Sequence, residues 1–269
     1  MRLLSIASGS SGNCIYVGDD NTHILIDAGI SKKRIEEGLN EIELTMGDIT
    51  GILITHEHSD HIKSLGVILR KHNIPVYTAE KTAKAILKDG KIGEVDEGLF
   101  KSILPDEAFK LNDIEVSPFS VFHDAAAPLA YRLTSKSSDR EKSVAVATDM
   151  GCYNDYIVDN LKNLDALLIE ANHDVRMLQT GNYPYYLKQR ILGNYGHLCN
   201  EACGRLLDEI LNPNLKRIFL GHLSKENNYP ELAFESVRME INLSNSEYRA
   251  EDFHIQVAKR EKTSDLVEI

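Results

Sequence analysis

Tryptophan is absent from this 269-residue sequence, and cysteine (four residues) and proline (seven) are sparse. Cysteines at positions 14, 152, 199 and 203 are too scattered for a disulfide framework, and their spacing matches no zinc knuckle. Such thiols suit a reducing compartment, so a cytoplasmic protein is expected. No stretch approaches the ~20 apolar residues that span a bilayer. The opening MRLLSIASGSSGN reaches Gly and Ser before a signal-like apolar run develops, so no membrane association is expected. Positive charge is also in deficit. Thirty Lys and Arg against 41 Asp and Glu leave a net charge of −11. That excludes a broad basic surface for coating nucleic acid, but not an enzyme whose positive charge is confined to one cleft. What is present is ordinary for a globular protein: 42% hydrophobic and 26% charged residues, in a chain long enough to bury a core without disulfides.

Short apolar runs and turn signals alternate along the chain. LLSIA, CIYVG and HILIDAG read as strands, with Gly18-Asp19-Asp20-Asn21 as a hairpin turn. Ser31 predicts a capped helix running to about Leu39. GILIT (51–55) is apolar throughout, as a strand buried on both faces requires. A helix over 62–71, a strand near Val76 and a helix after Thr78 follow. Further strands are predicted over 109–121, 129–134 and 143–148, and in DALLIEA, KRIFLG and FHIQVA, with helices over 200–211 and 231–243. The pattern predicts an α/β domain over residues 1–258, with two mixed β-sheets face to face and helices outside. The polar segment 259–269 is predicted to be a frayed tail.

The densest chemistry lies in Thr55-His56-Glu57-His58-Ser59-Asp60-His61, where three of the ten histidines fall within six residues. In an extended segment His56 and His58 point to the same side. Asp60 and His61, at the start of a helix, address a second point nearby. Imidazoles and a carboxylate at a strand-to-helix corner suit zinc, manganese or iron. A polar loop that is merely His-rich is the plain alternative.

His-x-His-x-Asp-His after an apolar strand, with Asp27 in LIDAG and a Gly-rich opening, resembles the metallo-β-lactamase superfamily. The resemblance implies its αββα sandwich and a centre of two divalent ions. It assigns His56, His58 and His123 to one ion, and Asp60, His61 and His222 to the other, with Asp149 bridging them. His123, Asp149 and His222 each follow an apolar run, in FSVFHDA, VAVATDMG and IFLGHLS. Asp27 would support the ligands from behind; it could also be an ordinary strand-end acid. β-Lactamases of this fold commonly carry cysteine where Asp149 stands. Two divalent ions, two aspartates and a bridging hydroxide nucleophile would leave one net positive charge, a seat for a phosphodiester. Asp60 is thereby counted with the catalytic residues.

Glu170 in LLIEANHD and His197 in YGHL resemble motifs of the tRNA 3′-processing branch, which implies help with proton transfer to the leaving oxygen. Glu170 as a helix cap and His197 as a surface residue are the alternatives. His173 is a candidate for substrate contact. Tyr183, Lys188 and Arg190, beside Tyr185 and Tyr186, have the composition of a stacking and phosphate-binding rim; a helix packing two tyrosines inward reads equally well. SGSSGN (8–13) is a hairpin turn or an anion-binding loop. The strings SGSSGN, THEHSDH, EANHD, LKQRIL, GHL-x-NE and LGHLSKENN together resemble the YycJ/WalJ (VicX)-type group over residues 1–258, with Cys199 where serine is expected. That implies a nuclease, a 5′→3′ exonuclease favouring DNA. Only 73 positions separate Asp149 from His222, too few for the extra domain of the large nucleases, so single-stranded nucleic acid or ends are the expected substrates. A small-molecule hydrolase acting on a cyclic phosphodiester, thioester or lactone is the alternative. An exposed Tyr183–Arg190 rim would favour nucleic acid; a closed apolar pocket would favour the small molecule.

Overall fold

A computed structural model describes residues 1–136 and 140–269. Two seven-stranded mixed sheets form the centre. The first contains β1 (Arg2–Ala7), β2 (Cys14–Gly18), β3 (His23–Ile26), β4 (Gly51–Leu53), β5 (Val76–Ala79) and β6 (Phe100–Ile103). The second contains β7 (Phe109–Leu111), β8 (Ile114–Ser120), β9 (Leu129–Lys136), β10 (Glu141–Ala147), β11 (Ala166–Glu170), β12 (Arg217–Gly221) and β13 (Ile255–Val257). A last short strand, β14 (Val267–Glu268), joins the first sheet beside β1. Each sheet is antiparallel at one side and parallel at the other, through β3-β4-β5-β6 and β10-β11-β12-β13.

The continuous apolar runs follow from burial on both faces. In β1, Leu3 packs between the sheets while Leu4 and Ile6 face outward. In β2, Ile15 and Val17 face inward and Tyr16 outward. The outer face of the first sheet is covered by α1 (Lys32–Asn40), α2 (Ser59–Ile62), α3 (Leu65–His72) and α4 (Glu80–Asp89). α5 (Asp155–Leu161) covers the second sheet; α6 (Val175–Thr180) and α7 (Tyr185–Leu192) form an excursion near its end, and α8 (Asn200–Ile210) and α9 (Pro230–Leu243) complete the cover. Each fully buried Leu or Ile contributes roughly 1.5–3 kcal/mol of transfer free energy, so three cores bind the layers together.

Three local expectations need correction. The helix over 62–71 is broken: the Ser64 amide turns to the Ala28 carbonyl (2.9 Å) and its hydroxyl to the Ile30 carbonyl (2.5 Å), ending α2 after one turn. The strand over 109–121 is a hairpin turning at Asn112, whose φ is +46°. The segment beyond Lys259 does not fray. Val267 is buried, Leu3 pairs with it, and the Ser264 amide donates to the Ser5 carbonyl at 2.8 Å.

Candidate metal centre and its rim

The parallel strands place their C-terminal ends at one edge of the sandwich, where α/β folds hold their ligands. Asp27 follows β3, His56 and His58 lie just beyond β4, Asp149 follows β10, Glu170 ends β11 and His222 follows β12. Asp27, Asp149 and His222 adopt φ of +63°, +59° and +54°. Such left-handed backbone costs about 1–3 kcal/mol per residue and persists only where surroundings enforce it. Here it turns each side chain from its strand end into a common space. One glycine shapes the same corner. A Cβ on Gly29 would lie 1.6 Å from the Asp60 carbonyl oxygen, so only glycine lets this loop press against the α2 turn.

His56, His58 and His123 bring one ring nitrogen each within 4.8 Å of one another. Asp60, His61 and His222 form a second such trio, and His56, His61 and Asp149 a third that links the first two. The Asp149 carboxylate lies 3.3 Å from His61 Nε2 through one oxygen and 3.3 Å from His222 Nε2 through the other. The seven residues singled out in the sequence therefore meet in one cluster. Asp27 stands behind it, accepting from His61 Nδ1 at 2.7 Å.

Thr55, which the sequence reading passed over, joins these parts. Its amide and hydroxyl both donate to Asp27, at 2.9 Å each. With its proton so placed, Thr55 Oγ1 accepts from His56 Nδ1, 3.0 Å away, which leaves His56 Nε2 as a bare lone pair. His123 Nδ1 likewise donates to the Gly196 carbonyl at 3.0 Å and frees Nε2. Asn13 Nδ2 reaches His61 Nε2 at 3.3 Å, while Asn13 Oδ1 accepts from the Gly9 amide at 2.9 Å. The Gly9 and Ser10 amides of the SGSSGN turn are thus committed within the protein, Ser10 to the Leu223 carbonyl. The turn braces the cluster and is not an anion loop.

Electrostatics mark the cluster as built for cations. Burial, then the neighbouring imidazoles, push His56 well below its ordinary pKa. Burial opposes charge on His61 too, but the Asp27, Asp149 and Asp60 carboxylates outweigh it and raise its pKa well above the ordinary range. Burial raises Asp149 to about 6. His56 Nε2 and Asp149 Oδ2 are buried without a hydrogen-bond partner, a costly arrangement for polar atoms. Aligned nitrogen and oxygen donors with unused lone pairs fit divalent transition metals.

At the rim Glu170 and His197 meet: Glu170 Oε1 lies 2.7 Å from His197 Nδ1. Glu170 is fully buried, its second oxygen accepting from the Met150 amide at 2.7 Å, and burial raises its pKa to about 8. Glu170 is not a helix cap, and His197 stacks on His222 with ring centroids 5.4 Å apart. His173 is 1% exposed, with Nδ1 3.3 Å from Asn172 Oδ1 and Nε2 buried without a hydrogen-bond partner. Along Tyr183–Arg190, Tyr185 and Tyr186 are 77% and 73% exposed, so they do not pack inward. Tyr183 and Arg190 line a cavity of about 160 Å³ that His197 also borders. Lys188 turns away and donates to the Gln179 carbonyl at 2.7 Å. The Arg190 guanidinium pairs with Asp124, whose neighbour His123 belongs to the cluster.

All four cysteines are free, and among the described residues no helix is long and apolar enough to cross a membrane. Comparison with known proteins agrees with this geometry. The family model of the metallo-beta-lactamase superfamily matches residues 7–222. The exodeoxyribonuclease YycJ of Bacillus anthracis is 43% identical over 234 residues, covering 86% of each chain. The exodeoxyribonuclease WalJ of Streptococcus pneumoniae is 43% identical over 228 residues, covering 85% of this chain and 83% of its own. Among solved structures, the metallo-beta-lactamase fold protein YhfI from Bacillus subtilis superposes with a TM-score of 0.68 at 17% identity, over 98% of this chain and 99% of its own. Human tRNase Z, short form, does so with a TM-score of 0.63 at 16% identity over all of both chains. From the matched span and the level of identity, the chain belongs to the metallo-β-lactamase superfamily of hydrolases, in the branch of the YycJ and WalJ proteins.

Proposed function

We propose that this protein is a two-metal phosphodiesterase of the cytoplasm that removes nucleotides from DNA ends, with single strands or frayed ends as substrate. The observation that carries the reading is the adjacency of two donor trios joined by one carboxylate, Asp149, with the Glu170–His197 pair at their rim. His56, His58 and His123 would hold one divalent cation and Asp60, His61 and His222 the other, with Asp149 shared. Zinc, manganese and iron all suit these donors. Bound cations supply positive charge to the phosphoryl oxygens and acidify water. The chain's own residues do the rest. Thr55 and Gly196 fix which ring nitrogens of His56 and His123 face the cluster. Glu170 orients His197 through Nδ1, so that Nε2 is the atom that gives a proton to the leaving oxygen. Carboxylate at position 149, in place of the cysteine common in β-lactamases, favours phosphoester over lactam chemistry. Tyr183 on the cavity that His197 borders, next to the exposed tyrosines of α7, supports nucleic acid over a small molecule.

The test is to load the protein with manganese or zinc and offer single-stranded DNA, single-stranded RNA and bis-p-nitrophenyl phosphate, beside an Asp60→Ala control. Stepwise loss from one end of the DNA, absent in the control, is the expected result. Turnover of the small diester alone would transfer the site to a small-molecule substrate.

A further inference from the structure

α7 has no buried residue, so it adds little to the core. It is held over the cluster's mouth by the Arg190–Asp124 pair, the Lys188–Gln179 contact, and the His197 amide, which donates to the Ile191 carbonyl at 3.0 Å. Tyr183, Leu187 and Ile191 recur every fourth residue and line the cavity of about 160 Å³ that ends at His197. Drug-sized sites run to about 300–1,000 Å³, so this one has room for a single planar ring system. The charged side chains lining the cavity are Arg190 and its partner Asp124, and no acidic residue occurs in the sequence from Val175 to His197. Arg260 adds another cation: its guanidinium bonds Ser10 Oγ at 3.3 Å, and Ser10 lines the cavity.

We infer that this cavity is a mononucleotide pocket, in which the base of the terminal nucleotide stacks on Tyr183 between Leu187 and Ile191 while its phosphodiester lies at the cluster. The inference rests on the phosphodiesterase reading and deepens it. One base is seated at a fixed distance from the metal ligands, so cleavage is counted from an end. Stacking on an aromatic ring tolerates any base, because every base has a π-face.

The probe is 2′-deoxyadenosine 5′-monophosphate, compared with inorganic phosphate. Both are titrated calorimetrically into metal-loaded wild type and the Tyr183→Ala, Tyr183→Phe and Ile191→Trp variants, with thermal melting as the check on folding. The nucleotide is expected to bind at least tenfold more tightly than phosphate in the wild type and in Tyr183→Phe. Tyr183→Ala and Ile191→Trp are expected to erase that preference. Equal binding of both probes by the wild type, or a preference that survives Ile191→Trp in a folded protein, would overturn the pocket. So would a dimer that seals α7, seen by light scattering and undone by Tyr185→Asp. The titration needs no turnover. Absence of diester cleavage would therefore sink the phosphodiesterase reading while the pocket is judged separately.

Discussion

At the scale of single residues, His197 and Thr55 separate chemistry from scaffolding. A general acid matters most when the leaving group is a poor one. His197→Ala should therefore slow oligonucleotide cleavage by about 10²–10⁴ and slow bis-p-nitrophenyl phosphate turnover far less, since p-nitrophenolate leaves without a proton. Equal losses on the two substrates would remove His197 from proton transfer. Thr55→Val keeps the shape but deletes the hydroxyl shared by Asp27 and His56. Lost outer support of this kind costs roughly 10–100-fold in metal affinity, readable by competition with a chelating dye. His173 carries a different consequence. Burial lowers its pKa from 6.5 to about 4, so the folded protein resists its protonation. The resulting penalty is absent above pH 6.5, grows as pH falls, and is complete below about 4. It amounts to about 3 kcal/mol at most. His173→Asn should flatten the loss of stability across that window, as followed by urea unfolding at stepped pH.

Single elements show what was legible in the sequence and what was not. The His56–His61 motif was readable because its spacing is local: an extended pair, then one helical turn. His123, Asp149 and His222 were legible only through the family resemblance, which implies a ligand after each of three later apolar runs. Thr55's double role was hidden, since it depends on Asp27, 28 positions away in sequence. The break between α2 and α3 was hidden too, because Ser64 turns to Ala28 and Ile30 across space. β14 is two residues long and gains order only by pairing with β1, a partner no local pattern announces. α8 offers a direct test at this scale. Its N-cap is Cys199, whose side chain makes no capping bond, while Asp174 and Asn154 cap α6 and α5 normally. Cys199→Ser should raise stability by about 0.5–2 kcal/mol, measured as a shift in the urea midpoint at constant slope. No gain would mean that the Cys199 environment cannot admit the capping rotamer.

For the whole molecule, charge is the governing variable. A protein at −11 repels a polyanion at long range, and near the cavity the cations of the excursion over 175–197, with any divalent ions the cluster holds, would oppose that repulsion. Binding should then engage few phosphates. Counterion release on single strands gives a slope near −0.7 per phosphate neutralised in a plot of log affinity against log salt. With Arg190, paired with Asp124, lining the cavity and Arg260 bonded to its Ser10, the slope for a short single strand should lie between about −1 and −2. A fluorescence anisotropy series between low and physiological salt, using the Asp60→Ala protein, which is expected not to cleave, reads it directly. A slope steeper than about −4 would mean that several more phosphates are neutralised, and the end-directed reading would give way to a protein that grips long internal stretches. A shallow slope combined with weak affinity would instead leave recognition to the cluster and the terminal nucleotide, which is the division of labour an acidic exonuclease needs. It would release each shortened strand quickly, at the expense of processivity.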